Sequence, residues 1–103
     1  MKVIDKNLLL EFRLMRQCAW CKKKVEECDP AHIFSRGAGR VDIRENIVNL
    51  CRECHFFNHC GQPPTKNDLL FIASVREGKD IVDIVHKIMM MRLDTKCKIW
   101  EVS

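Results

Sequence analysis

Two cysteine pairs carry the clearest chemistry in this chain: Cys18 and Cys21 in "CAWC", and Cys51 and Cys54 in "CREC". A Cys-x-x-Cys turn lets two thiolates converge on one ion, and two such turns complete the tetrahedral four-sulfur set that structural zinc prefers. Immediately after the second pair, "HFFNH" sets His55 and His59 four residues apart. On a helix that spacing stacks both imidazoles on one face, where they can hold one ion. Cys54 and His55 are neighbours and would point roughly 100° apart around the helix axis. The helix is therefore expected to separate two ions. Upstream, "CDPAHIFSRGAGR" crowds Asp29, His32, Arg36 and Arg40 around two glycines.

Composition supports metal chemistry. A chain of 103 residues has room for one domain, and at this size folding hides only roughly two-thirds of the unfolded surface. Such a small core often needs a staple, and 7 Cys with 4 His exceed what packing alone requires. Zinc binding in small domains is worth ~10–16 kcal/mol, which would supply that staple. Redox-active dithiols are the alternative for the paired cysteines. Cys28, Cys60 and Cys97 are left over and read as small apolar or free thiols. The leading "MKVIDKNLLLEFR" places acids around a leucine run too short for the apolar core of a secretory signal. No window approaches the roughly 20 apolar residues of a membrane span. The expected address is a reducing cytoplasm, where paired cysteines more often bind zinc than form disulfides. The net charge of +4 and pI near 8.7 permit polyanion binding without requiring it.

The elements that must position these groups are marked by periodicity and punctuation. "DKNLLLEFRLMRQ" sets Leu8, Leu9, Phe12 and Met15 at helical spacing, with Asp5 as N-cap, predicting a first helix over about 6–17. From Cys18 to Asn49 the helical period is lost, and turn residues punctuate short apolar pieces, which suits a loop-rich unit with a β-hairpin. A short helix is predicted around 52–60, stopped by Gly61 and the Pro63-Pro64 pair. Thr65 and Asp68 form a capping-box pattern before a helix ending near Gly78. Asp80 then opens a third long helix carrying Ile81, Ile84, Val85, Ile88 and Met89 at helical spacing. The tail "CKIWEV" is predicted as a short strand.

The ordered pattern of Cys-x-x-Cys, Asp-x-x-His, a glycine loop and Asn-Ile-x-x-Leu-Cys-x-x-Cys-His-x-x-x-His resembles the HNH endonuclease family. More closely, "CDPAHIFSRGAGR" and "LCRECH" are similar to small phage and bacterial HNH proteins with a "DPAH…SRGAGG" loop. The resemblance covers about Cys18 to His59, and the helices from Pro64 onward fall outside it. It implies a zinc-stapled ββα-metal unit at about 18–60; with the N-terminal helix and the C-terminal helical extension at about 64–93 that periodicity predicts, the expected fold is α+β, all within one domain, 1–103. It also implies hydrolysis of DNA phosphodiester bonds, with a divalent cation (magnesium, manganese, nickel or zinc) besides the structural zinc.

His32 matches the family's general base, His55 and His59 match its helix-borne metal ligands, and Asn46 matches the middle letter of the motif. For Asn46 a loop-fixing role is preferred, because a buried amide can satisfy several backbone groups at once. The sequence departs from the common pattern at Ala31, where relatives carry a metal-ligating Asp or His directly before the base. Asp29 shares the strand face of Ala31 by parity and is expected to fill that place, directly or through water. Pro30 between them favours extended backbone. Arg36, Arg40, Lys22, Lys23 and Lys24 are candidate phosphate contacts, the arginines by their planar fork. Dimerisation through the C-terminal helices is compatible with their apolar faces, which could equally pack on the hairpin. Two rival readings remain: a zinc DNA-binding module without catalysis, and a protein-interaction zinc finger in a phage or restriction complex.

Overall fold

In a computed structural model, the backbone is described for residues 3–35 and 39–102, and side chains as far as Arg92. The described residues form a small α+β unit with four helices and one two-stranded sheet. Helix α1 spans Lys6–Arg13, strand β1 Asp29–His32 and strand β2 Ile47–Leu50, with a 3-10 turn at Arg44–Asn46 leading into β2. Helices α2 (Arg52–His59), α3 (Lys66–Glu77) and α4 (Ile81–Val102) follow.

Asp5 caps α1 by accepting the Leu8 N–H at 3.0 Å. The helix stops at Arg13, short of the expected Gln17. The Arg13 carbonyl accepts from the Cys28 N–H, and the Arg16 carbonyl from the Val25 N–H. In a helix continuing to Gln17 the Arg13 carbonyl would accept from the Gln17 N–H, while that of Arg16 would have no partner within the helix. Here they bind the returning chain, and Gln17 pairs with Lys24 to shape the cysteine loop.

β1 and β2 run antiparallel, with Ala31 opposite Val48 and His32 opposite Ile47. Every residue of β2 is buried. Period-two alternation decides what β1 offers each side. Ala31 is 1% exposed and belongs to the core with Cys18, Ile33, Val48 and Leu50. A ligand side chain at position 31 would enter apolar packing, which is why a methyl group suits it.

α2 begins at Cys51, whose sulfur accepts from the Cys54 N–H. Thr65 and Asp68 form the reciprocal capping box of α3, and Gly78 ends that helix in the left-handed region that glycine tolerates. The inner faces of α3 and α4, including Leu69, Leu70, Ala73, Ile84 and Ile88, join the hairpin core. Phe71, Val75, Val82 and Met90 remain exposed. Buried Glu45 in the 3-10 turn accepts from the ammoniums of Lys79 and Lys87, fastening the turn to the C-terminal helices. Arg44 reaches Glu11 at 2.6 Å and Glu77 at 3.4 Å.

The expected terminal strand is instead the end of α4, whose backbone is helical through Val102. No glycine or proline follows Asp80 in the sequence, so nothing breaks the helix, and the β-branched residues of the tail do not overcome helical continuity. Among the described residues no helix is long and apolar enough to cross a membrane.

Candidate metal centre and histidine cavity

The loop after α1 and the start of α2 bring four sulfurs together. Cys18 and Cys21 are separated by a tight turn in which the Lys22 N–H donates to the Cys18 carbonyl, with Lys22 at φ +67°. The Cys51 sulfur, fixed by its cap on α2, lies 3.8 Å from that of Cys21. All four ligand atoms lie within 4.8 Å of one another. A tetrahedron with metal–sulfur bonds of ~2.3 Å places its sulfurs ~3.8 Å apart, so the donor set fits a structural metal such as zinc. Burial pushes the Cys54 thiol up, and the neighbouring sulfurs push it further. Cys18 is also opposed by burial, but backbone donors from Cys51, Cys21 and Trp20 bring it down to about 7. A bound dication would favour the thiolate form throughout the set. Cys28 is buried in the core, Cys60 is exposed, and the side chain of Cys97 lies outside the described residues.

The next residue after Cys54 faces a different site. His55 lines a cavity of about 390 Å³ together with Pro30, His32, Ile33, Ser35, Asn58, His59 and Lys66. The Nε2 atoms of His55 and His59 are 3.1 Å apart. Two nitrogens at that separation can each lie ~2.1 Å from one ion, with an angle of roughly 95° between the bonds. Nδ1 of His55 lies 3.1 Å from Oδ2 of Asp29. An ionised carboxylate only accepts, so in the neutral imidazole this contact places the proton on Nδ1 and leaves the lone pair on Nε2, the nitrogen that faces His59.

His32 reaches the cavity from β1, with its side chain 6% exposed. Its Nε2 lies 2.7 Å from Oδ1 of Asp42, whose side chain is fully buried. Asp42 also accepts from the Asp5 N–H and, at both oxygens, from Arg40. Burial opposes its charge, but Arg40, the Asp5 N–H and His32 outweigh it and hold the carboxyl down near about 2. The anion orients His32 and would stabilise an imidazolium there. Asn46 is fully buried; its Oδ1 accepts from the Phe34 N–H at 2.9 Å, and its Nδ2 donates to the carbonyls of Val41 and Phe34. It thereby ties together both ends of the glycine loop.

Comparisons with protein-family models, curated proteins and solved structures gave no match.

The structure thus brings His32, His55 and His59 to one cavity, with Asp29 behind His55 and Asn46 bracing the loop. The basic residues expected to contact phosphate are dispersed. Arg40 directs its guanidinium to Asp42, Lys23 pairs with Glu53 at 3.7 Å, and Lys22, Lys23 and Lys24 do not line the histidine cavity. Arg36 lies outside the described residues. Sequence reasoning missed Asp42 and Lys66. Asp42 sits between apolar Val41 and Ile43, a pattern compatible with a half-buried acid but silent about His32. For Lys66, the first helical residue after a capping box, no sequence signal points to the cavity.

Proposed function

We propose that this chain is a divalent-metal-dependent endonuclease of HNH type that hydrolyses phosphodiester bonds in DNA. One observation carries the reading: a histidine pair with converging Nε2 atoms shares a cavity with a third histidine buttressed by a buried carboxylate. His55 and His59 would hold the ion, with Asp29 setting the donor nitrogen of His55. When bound, that ion would stabilise charge developing on the phosphate and the leaving oxygen. His32, held by Asp42, takes a proton from water, a contribution typically worth about 10²–10⁴-fold. The water oxygen forms its bond to phosphorus as the P–O3′ bond breaks. The products are a 5′ phosphate and a 3′ hydroxyl, the latter after its oxygen gains a proton from solvent. Asn46 keeps the loop and strand in register for this geometry, and the four-cysteine site acts as the structural staple at the start of α2.

The test is conversion of supercoiled plasmid to nicked or linear form with magnesium, manganese or nickel. The parent protein should cut, and His32→Ala should lower the rate by at least 10²-fold while still binding DNA. Salt-sensitive DNA binding with no cleavage under any of these metals would instead identify a non-catalytic zinc DNA-binding module.

A further inference from the structure

The histidine cavity also contains an ammonium, contributed by a residue outside the shared motif. Lys66, the first residue of α3, lines the cavity with His32, His55 and His59. Its ammonium stands 4.8 Å from the centre of the Phe34 ring. Lys23, Lys79 and Lys87 each pair with a carboxylate. Among the described residues, Lys66 has no carboxylate within ion-pair distance.

Phe34 is itself fixed. Asn46 accepts from its N–H and donates to its carbonyl. The guanidinium of Arg92 in α4 lies 5.4 Å from the same ring and bonds the carbonyls of Ser35 and Gly39, which flank the glycine loop. The asparagine of the motif thus seats a phenylalanine whose ring receives cations from both C-terminal helices. An ammonium held against an aromatic face keeps its charge and is positioned in advance. Among the described residues the cavity lining contains three imidazoles, one ammonium and the Asn58 amide but no carboxylate, since Asp29 stands behind His55 and Asp42 behind His32. Such a lining favours an anion, and a lysine point charge suits a phosphate oxygen.

We propose that Lys66 is a phosphate-binding residue of this cavity, so that α3 completes a site which the motif alone leaves open on one side. The inference rests on the reading that the cavity takes a phosphodiester. The same chemistry would serve free phosphate, and the experiment separates the two sources.

The His32→Ala protein provides a non-cleaving background, in which Lys66→Ala and Lys66→Arg are compared in buffer without added divalent ions. In one arm, duplex DNA affinity is measured against monovalent salt. Loss of one phosphate contact should reduce the salt slope by ~0.9 and weaken binding about eight-fold at 100 mM salt, and Lys66→Arg should restore both. In the other arm, inorganic phosphate is titrated into the parent chain while the ring signals of His55 and His59 are followed by NMR. Phosphate should move those signals in the parent and in Lys66→Arg but not in Lys66→Ala. If the parent neither binds nor cuts DNA, yet phosphate still moves the signals in a Lys66-dependent way, the nuclease reading fails and the phosphate site stands. Identical salt slopes and identical phosphate responses with and without Lys66 overturn the proposal, whatever the cleavage result. Matching melting temperatures of Lys66→Ala and its parent exclude a folding defect as the cause of a loss, and a lowered melting temperature not repaired by Lys66→Arg counts against a binding role.

Discussion

Asp29 holds Nδ1 of His55 across a 3.1 Å contact between the start of β1 and the first half of α2. The sequence led to the expectation that this acid would occupy the place vacated at Ala31. The fold turns position 31 into the core and sets Asp29 3.1 Å from Nδ1 of His55, a metal-ligand candidate. A carboxylate on the outer nitrogen fixes the ring's tautomer and orientation and makes the inner nitrogen a better donor. The contact therefore favours an orienting role for Asp29.

Removing such an outer partner typically costs about 10–100-fold in metal affinity. Asp29→Ala should weaken manganese or nickel binding at His55 and His59 by that factor in calorimetric titrations. Metal retained by the cysteine site should not change. Asp29→Asn should lose less, because its amide oxygen still accepts from Nδ1. Parent-like affinity in Asp29→Ala would remove Asp29 from the site.

Asn46 makes a different kind of contribution, one to folding. Replacing it with alanine removes the partner of the buried Val41 carbonyl and of the partly buried Phe34 N–H. One buried and one partly buried backbone group left without their partner should cost about 1–3 kcal/mol, read as a lower urea midpoint. Because Phe34 seats Lys66, the variant should also bind duplex DNA more weakly at temperatures where it remains folded. A cost below about 1 kcal/mol would mean that water or another side chain takes over both bonds.

These contacts mark the limit of what the sequence makes legible. The cysteine pairs, the His55 and His59 spacing, the Thr65–Asp68 cap and the Gly78 stop are local patterns, read within a few residues. The end of α1 is not local: Arg13 and Arg16 lose helical continuity to Cys28 and Val25, partners supplied by the returning chain. The same holds for Asp42 beside His32 and Lys66 beside Phe34, since no sequence period relates either pair. Arg40 shows the reverse problem. A guanidinium after a glycine loop suggests phosphate binding, but the fold supplies a buried carboxylate two residues away, and the nearer anion takes it.

Cys51 serves α2 twice, as N-cap acceptor for the Cys54 N–H and as one of the four clustered sulfurs. Cys51→Ser can still cap the helix but forms a poorer metal site. Metal content by mass spectrometry should fall from one cysteine-bound zinc per chain to a small fraction. The cooperative thermal transition should broaden or disappear, since binding worth ~10 kcal/mol or more is being withdrawn from a small core. Cys28→Ser, which alters a core thiol outside the cluster, should retain the zinc. Equal zinc content in the parent and Cys51→Ser would show that these sulfurs do not act as one site.

Acid should loosen the molecule chiefly through two buried carboxylates. Burial works against the charge of Glu45, but Lys79 and Lys87 overcome it and hold the carboxyl near about 2; Asp42 lies at about 2 through Arg40, the Asp5 N–H and His32. In the unfolded chain both groups titrate near 4. Their folded values are depressed, so their stabilisation is fully present above the unfolded values and is lost as pH falls through 4 toward 2. A depression of this size is worth on the order of 2 kcal/mol per group at neutral pH. Urea midpoints should therefore be flat above about pH 5 and drop steeply below pH 4. Glu45→Gln should be destabilised at pH 7, because Lys79 and Lys87 lose their shared anion, and its midpoint should fall less between pH 5 and 3 than that of the parent. Parallel pH profiles for the two proteins would mean that Glu45 is not held in its charged form by these lysines.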